Sequence, residues 1–266
     1  MKARTSLVML ALLCGLVGFS QAAPSLDALT QPEPDSTRQR AMRRLSLASA
    51  YFEQGQNQVA QQEVRAALLI DANYAEAYSL LGLIHQRDNS SALAQSSFEH
   101  ALTLASTSPV HSAELGAIQH NFGWFLCQQS RFEEGQTQLT QAITQPAYRQ
   151  IGKSWMALGV CQSRAGSSAQ AQSSFQSALV AEPSNSVARY LLASLEWQAH
   201  DYVKADLTLT PLNAGAHASA ESLWLGVKLA RVLEQPQNMR LRAEQLTQRF
   251  PNSSQSHAWR QSKFED

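Results

Sequence analysis

The cysteines are the residues of this 266-residue chain with the clearest potential for chemistry. Of the three, Cys14 lies in an apolar N-terminal stretch, which leaves Cys127 and Cys161 in the body of the chain. In an oxidising compartment these two thiols could form a disulfide, and closing a loop of about 35 residues would contribute roughly 3–4 kcal/mol by the chain-entropy relation. The alternative is a pair of buried thiols that act as small apolar side chains.

The histidines do not suggest a metal or catalytic site. The chain has seven, namely His85, His100, His111, His120, His200, His217 and His257. No pair has the spacing that would place both on one helix face beside a carboxylate, so a zinc site is not expected. No Ser/His/Asp or Cys/His arrangement and no glycine-rich phosphate loop can be recognised. We therefore predict a protein that is not an enzyme and has no catalytic residues, cofactor or metal.

The most complete motif lies in the middle of the chain, where bulky and small residues alternate at helical spacing. Its members are Trp155, Leu158, Gly159, Ala171, Phe175, Ala178, Leu179 and Pro183. This spacing matches a tetratricopeptide repeat, which is a hairpin of two antiparallel helices in close contact at small residues. Pro183 ends the second helix. One such hairpin cannot bury its own apolar face, so further copies are expected to stack on both sides.

Small residues recur at the same repeat position along the chain, at Ala48, Gly82, Gly123, Gly159, Ala193 and Gly226. Most steps are close to the period of about 34 residues of this repeat. We predict repeats at about 41–74, 75–108, 116–149, 152–185, 186–218 and 219–251, followed by a capping helix over 253–264. The longest interval between these small residues, from Gly82 to Gly123, is interpreted as containing a loop at residues 106–109, where serine and proline favour a turn. The predicted fold is an all-α solenoid, a right-handed superhelix of about six repeats with a short C-terminal capping helix.

Composition agrees with a helical, protein-binding chain. The sequence is 44% apolar and 16% charged, with a net charge of zero. A balanced charge lacks the basic surface that nucleic-acid binding requires. The basic cluster of Arg38, Arg40, Arg43 and Arg44 is interpreted as a solvated face.

The N-terminus has the features of an export signal. A positively charged start precedes a short apolar stretch, residues 7–19, which is too short to span a bilayer comfortably. Ser20 and Ala22 are small, as a signal peptidase requires. We predict a signal peptide over 1–22 and a disordered leader over 23–37, and thus a mature protein outside the cytoplasm.

The first helices of stacked hairpins line the concave side, and their inward positions predict an apolar and aromatic groove. Its members are Leu45, Phe52, Leu83, His120, Trp124, Met156, Val160, Tyr190, Trp197, Leu223 and Val227. Such a stripe marks a partner surface with tryptophan and tyrosine as anchors. Trp124 is the strongest candidate, because Phe122 fills the neighbouring core position. The alternative is that the superhelix turns individual members into the core.

Four short segments carry a resemblance to a known family. They are Asn-Phe-Gly-Trp-Phe-Leu-Cys at 121–127, Pro-Ala-Tyr at 146–148, Gly-Val-Cys at 159–161 and Phe-Pro-Asn-Ser at 250–253. Over residues 38–264 the chain resembles the type IV pilus biogenesis and stability proteins, the PilF/PilW pilotin family. The resemblance implies a periplasm-facing protein of six repeats that helps the outer-membrane secretin reach its site and assemble. It also implies that Cys127 and Cys161 match the family's paired cysteines.

The chain departs from that family at the lipoprotein box. Members are usually lipid-anchored, but here the lead-in at 16–18 ends in Phe19 where the acylated cysteine belongs. Cys14 is a poor substitute because Leu13 precedes it where a small residue is required. We expect no lipid anchor, which would leave the protein soluble or held at the membrane by its partner.

The sequence thus predicts a monomeric periplasmic scaffold that is associated with the inner face of the outer membrane through its partner, the secretin of the type IV pilus. Two alternatives stay open. One is a general periplasmic adaptor for another envelope assembly, and the other is an accessory subunit of an envelope enzyme complex.

Overall fold

The computed structural model describes residues 36–107 and 112–264. The predicted signal peptide, including Cys14 and Phe19, and most of the predicted leader lie outside the described residues. The first helix begins at Thr37. In the described part of the chain all regular secondary structure is α-helical, so the predicted all-α fold is confirmed.

Twelve of the 13 helices in the described residues form six consecutive hairpins. Their bounds are α1 (Thr37–Glu53), α2 (Asn57–Ile70), α3 (Ala75–Arg87), α4 (Ser91–Ser106), α5 (Ser112–Gln128), α6 (Phe132–Thr144), α7 (Ile151–Arg164), α8 (Ser168–Ala181), α9 (Ser186–Gln198), α10 (Tyr202–Ala214), α11 (Ala220–Val232) and α12 (Pro236–Arg249). A short helix, α13 (Ser254–Arg260), follows the last hairpin. None of the described helices is both long and apolar enough to cross a membrane.

The hairpins stack in chain order, as a solenoid requires. Each helix packs against its hairpin partner, and the second helix of each hairpin contacts the first helix of the next. First helices of successive hairpins also touch, in the pairs α1 with α3, α3 with α5, α5 with α7 and α9 with α11. We call the side of the stack formed by α1, α3, α5, α7, α9 and α11 the inner wall.

Glycine opposite phenylalanine sets the close contact within two hairpins. A methyl group added at Gly82 would come within 2.7 Å of the Phe98 ring, and one at Gly159 would come equally close to Phe175. Both rings are fully buried. Since even one carbon would displace a packed ring, these helices need a glycine where they cross.

The third hairpin achieves its close contact differently. A methyl group at Gly135 would overlap the sulfur of Cys127 and would lie 2.8 Å from the carbonyl oxygen of Gly123. Here two glycines face each other across the hairpin, and Leu139 takes the place of the aromatic ring. The backbones of α5 and α6 therefore approach more closely than an alanine at position 135 would allow.

The long interval between the second and third repeats is taken up largely by helix, and the predicted loop at residues 106–109 lies mostly outside the described residues. The helices α4 and α5 have 16 and 17 residues, compared with 13 or 14 in the other helices from α2 to α12. They take up most of the additional residues and leave only 107–111 between them, of which 108–111 lie outside the described residues. Extending two helices keeps backbone hydrogen bonds that a longer loop would lose.

The basic cluster at the start of α1 is exposed at Arg40, Arg43 and Arg44, as expected of a solvated face, whereas Arg38 is partly buried among acidic side chains. The guanidinium of Arg38 lies 3.0 Å from Asp71, 3.2 Å from Glu76 and 3.6 Å from Glu114. Burial, together with a hydrogen bond to Glu114, raises the pKa of Glu76 to about 8. Arg38 therefore connects the first hairpin to α3 and α5. Arg44 is exposed but pairs with Glu63 at 2.9 Å.

Candidate protein-binding groove

The nine predicted groove residues of the first five hairpins all lie on first helices, which form the inner wall, and all are partly exposed. They are Leu45, Phe52, Leu83, His120, Trp124, Met156, Val160, Tyr190 and Trp197. The apolar members also pack against the buried core. The groove lining is therefore half-buried, and its contact with a partner stays a prediction.

The last hairpin does not contribute the two groove residues predicted for it. Leu223 and Val227 are fully buried. They belong to a core cluster that includes Phe250 and, from the C-terminal segment, Trp259 and Phe264. Because α13 and the residues after it fold back on α11, they cover positions of α11 that would face the groove in a repeat without such a segment.

At the other end of the stack, Phe52 is partly covered from within the chain. The guanidinium of Arg87 lies 3.5 Å from the centre of the Phe52 ring. Arg87 also donates a hydrogen bond to the backbone carbonyl of Phe52. A partner that contacts Phe52 would therefore also meet this cation, which stacks on the ring.

His120 has a structural partner between two hairpins. Its Nδ1 lies 2.8 Å from the hydroxyl of Ser154, which is fully buried and in turn hydrogen-bonds to Tyr148 at 3.1 Å. Burial, with a smaller effect from the charge of Lys153, lowers the pKa of His120 to about 4. The imidazole is thus neutral at neutral pH and connects α5 to α7.

Trp124 packs against the cluster that contains the two cysteines, whose members include Cys127, Leu158 and Cys161. The structure pairs the two cysteine sulfurs at 1.98 Å, with their Cα atoms 5.5 Å apart. A disulfide at this place would join the first helices of the third and fourth hairpins beneath the centre of the inner wall.

Polar side chains cross the inner wall between the second and third hairpins, which the sequence reasoning missed. Asn121 donates a hydrogen bond to the hydroxyl of Ser79 at 3.1 Å, and Gln86 donates one to Gln128 at 2.6 Å. The sequence contains these polar residues on its first helices, but it does not show that they pair. Their pairing can be recognised only when the two helices are known to touch. The inner wall is therefore less uniformly apolar than predicted.

Tyr190 and Trp197 come together at a cavity of 280 Å³, which we call the C-terminal cavity. Trp224 and Lys228 of α11 and Gln255 of α13 also line it. None of these three residues was predicted: Trp224 and Lys228 are not at the inward positions of the template, and Gln255 lies on α13, which is not part of the template. Trp224 and Lys228 are each only 9% exposed.

The described residues contain no group of three or more histidine, cysteine, aspartate or glutamate side chains that could hold a metal ion. The contacts of the inner wall are instead aromatic, aliphatic and amide in character. Such a lining can bind another polypeptide through apolar anchors and a small number of hydrogen bonds.

Comparison with known proteins supports this interpretation of the fold. Two models described as tetratricopeptide repeat match residues 75–108 and 162–206. The type IV pilus assembly protein PilF of Pseudomonas aeruginosa is 26% identical over 253 residues, which is 95% of this chain and 96% of PilF. An uncharacterised protein of Haemophilus influenzae is 32% identical over 48% of this chain and 63% of its own length.

Solved structures give the same result. The structure of PilF from Pseudomonas aeruginosa matches with a TM-score of 0.72 and 25% identity, covering 86% of this chain and all of that one. The structure of PilW, described as a widely conserved type IV pilus biogenesis factor, matches with a TM-score of 0.70 and 25% identity over 83% of this chain and 98% of PilW. The resemblance seen in the sequence is therefore confirmed.

Proposed function

We propose that this chain, a tetratricopeptide-repeat protein homologous to PilF, is a non-enzymatic scaffold that supports type IV pilus biogenesis. The observation that carries the proposal is the relationship to PilF over nearly the whole of both chains, in sequence and in structure. A match of this extent covers the entire stack of hairpins. It is not limited to the repeat template that unrelated proteins share.

The binding surface in this proposal is the inner wall, and the partner is the outer-membrane secretin. The half-buried anchors Trp124, Met156 and Trp197 present apolar surface without being freely exposed, as interface anchors do before binding. An amphipathic helix or an extended apolar segment of the secretin would suit such a lining. By binding it, the scaffold would promote localisation and assembly of the secretin.

We further propose that the protein acts in the periplasm, next to the inner face of the outer membrane. The export signal predicted at residues 1–22 supports this placement. The pairing of Cys127 with Cys161 also agrees with an oxidising compartment. With Phe19 where an acylated cysteine would stand, attachment to the membrane would depend on the secretin.

Gene deletion and complementation test the proposed function. Deletion should remove surface pili and heat-resistant secretin multimers, and the wild-type gene should restore both. Unchanged pili and multimers in the deletion strain would refute the pilus role. A loss of pili with normal secretin multimers would refute the secretin role and would leave another step of pilus assembly.

Matched variants test the inner wall as the binding surface. We expect Trp124→Ala to weaken binding of the purified secretin by about tenfold or more, as is typical of an aromatic anchor. Leu207→Ala is the control, because Leu207 is 70% exposed on α10, a second helix that is not part of the inner wall. Equal losses from both variants would refute the inner wall as the specific surface.

A further inference from the structure

The imidazole of His120 is hydrogen-bonded through one of its two ring nitrogens. Its Nδ1 lies 2.8 Å from the hydroxyl of Ser154, which belongs to α7. Its Nε2 has no hydrogen-bond partner in the described part of the chain, and it is not enclosed by protein. Since His120 is partly exposed on the inner wall, Nε2 reaches the solvent there.

Two buried hydroxyls determine which nitrogen of His120 carries the hydrogen. The hydroxyl of Tyr148 lies 3.1 Å from that of Ser154 and has no other hydrogen-bond partner among the described residues. Both side chains are buried. Each hydroxyl hydrogen has an acceptor only if Tyr148 donates to Ser154 and Ser154 donates to Nδ1. Because burial lowers the pKa of His120 to about 4, the imidazole is neutral, and its single hydrogen is on Nε2.

The inner wall thus offers a neutral hydrogen-bond donor at His120, and a neutral acceptor matches it best. A carboxylate placed there would exchange its hydration for one hydrogen bond to a neutral group, which is unfavourable. The cation whose charge reaches His120 is Lys153. Its amine is exposed and donates to Gln150 at 3.1 Å, so water screens its attraction for an anion.

The residue after His120 supplies an acceptor. Asn121 donates through Nδ2 to Ser79 of α3 at 3.1 Å. Its Oδ1 has no partner within the described residues and is not enclosed by protein. Trp124 lies four residues after His120 and three after Asn121, and side chains at these spacings are neighbours on a helix. A donor directed from the α7 side and an acceptor on the α3 side therefore stand next to one aromatic ring.

We propose that the inner wall binds its partner segment in an extended conformation, with a main-chain carbonyl of the segment accepting a hydrogen bond from Nε2 of His120. An apolar side chain of the segment lies on Trp124, and a main-chain N–H donates to Oδ1 of Asn121. An extended segment has such groups free along its length, whereas a helix uses them internally except at its ends. The inference deepens the proposed protein-binding role by naming how the segment is recognised. It rests on that role and does not depend on the partner being a secretin.

NMR of the mature chain with isotope-labelled histidine tests the donor without any ligand. Long-range correlations between ring protons and ring nitrogens, recorded in mildly alkaline buffer, show which nitrogen of each histidine carries the hydrogen, and single substitutions assign the signals. His120 should carry it on Nε2. His257 is the internal control, because its Nδ1 lies 2.8 Å from the backbone carbonyl of Ser253, which can only accept. His257 should therefore carry its hydrogen on Nδ1.

Two serine variants give a matched pair for the positioning of His120. Ser154→Ala removes the hydroxyl that donates to Nδ1 and should produce a mixture of the two hydrogen positions on His120. Ser174 is similarly buried, and its hydroxyl donates to Gln162 at 2.7 Å from α8, a second helix. Ser174→Ala should leave the His120 signals unchanged.

A defined peptide tests recognition of the main chain. The probe is acetyl-Ser-Val-Leu-Val-Ser-amide, in which valine favours the extended conformation. Its analogues each have one peptide bond replaced by an ester, whose carbonyl is a weaker acceptor. With the chain labelled with 5-fluorotryptophan, saturable shifts of the Trp124 resonance report binding, and Trp259 in the C-terminal segment should not respond. One ester should bind about two- to tenfold more weakly than the parent, the range expected for one neutral hydrogen bond.

A variant of His120 completes a double-mutant cycle with the esters. His120→Phe keeps an aromatic ring but has no donor, so most of the difference between that ester and the parent peptide should disappear. His257→Phe is the control and should show the same difference as the wild type.

The outcomes separate this inference from the proposed function. A hydrogen on Nδ1 of His120 would overturn it, whatever the phenotype of the gene deletion. A parent peptide that leaves Trp124 unshifted at millimolar concentration, or ester losses that are absent or are the same in His120→Phe, would also overturn it. The expected pattern supports the inference even where deletion of the gene leaves secretin multimers intact, a result that refutes only the secretin role.

Discussion

Reduction of the Cys127–Cys161 pair should destabilise the centre of the stack. The two residues are 34 positions apart in the sequence. By the chain-entropy relation, closing such a loop lowers the entropy of the unfolded chain enough to stabilise the folded state by about 4 kcal/mol. Cys127 lies on α5 and Cys161 on α7, and the segment between them contains all of α6. The bond would therefore join the third and fourth hairpins directly.

Urea denaturation with and without a reductant measures this effect. The fluorescence of Trp124 and Trp155 is a suitable signal, because both pack against the cluster that contains the two cysteines. With a slope of about 2–3 kcal/mol per molar urea, a loss of about 4 kcal/mol would lower the midpoint by about 1–2 M. Circular dichroism should be recorded in parallel, since repeat proteins can unfold in parts.

The control is the double variant Cys127→Ala/Cys161→Ala. It should unfold near the midpoint of the reduced wild-type protein, and a reductant should not change its midpoint. Alkylation of the denatured wild-type protein without reductant, followed by measurement of its intact mass, counts the free thiols. Two alkylated thiols in protein taken from the periplasm, or equal midpoints with and without reductant, would refute the reasoning.

Two further predictions concern packing and pH. Gly135→Ala should lower the free energy of unfolding by about 1–3 kcal/mol, the usual cost of overpacking, because its methyl group meets the sulfur of Cys127 and a backbone carbonyl. In urea denaturation this loss should be smaller in the Cys127→Ala/Cys161→Ala background than in the wild type, and a neutral Gly135→Ala would contradict the close approach of α5 and α6. Burial lowers the pKa of His120 from 6.5 to about 4, so the unfolded chain binds more protons in this window and stability falls as pH drops through it. Burial and Glu114 raise the pKa of Glu76 from 4.5 to about 8, so its contribution has the opposite sign and is lost as pH rises from 4.5 to 8. In the wild type the two contributions to the pH dependence of stability should cancel between pH 4.5 and 6.5. Glu76→Gln should lose stability on acidification, and His120→Gln should gain it. If the melting temperatures of all three proteins depend on pH in the same way across this range, the assignment is contradicted.

The repeat architecture could be predicted because its main requirement is local. Helices that cross closely need a small residue at the crossing, and Gly82 and Gly159 stand opposite phenylalanine for that reason. The need for a glycine at position 135 became visible only when the sulfur of Cys127 was found in the space that a methyl group would need.

The groove was predicted in outline, and the errors have a common cause. A repeat position indicates which way a side chain points within its own hairpin, but not what another part of the chain places over it. Leu223 and Val227 point toward the inner wall by the template and yet are buried beneath the C-terminal segment. Phe52 lies under a guanidinium from the next hairpin.

The sequence alone was sufficient to determine that the chain is a stack of helical hairpins, because periodic small and bulky residues specify contacts that repeat at short range. The tertiary structure decided which inner residues remain accessible, where the charges of Arg38 and Lys228 lie, and that α13 closes a cavity at one end. These features arise between segments that are distant in sequence. Their contacts follow from how the ends of the stack fold back and dock, which no local pattern specifies.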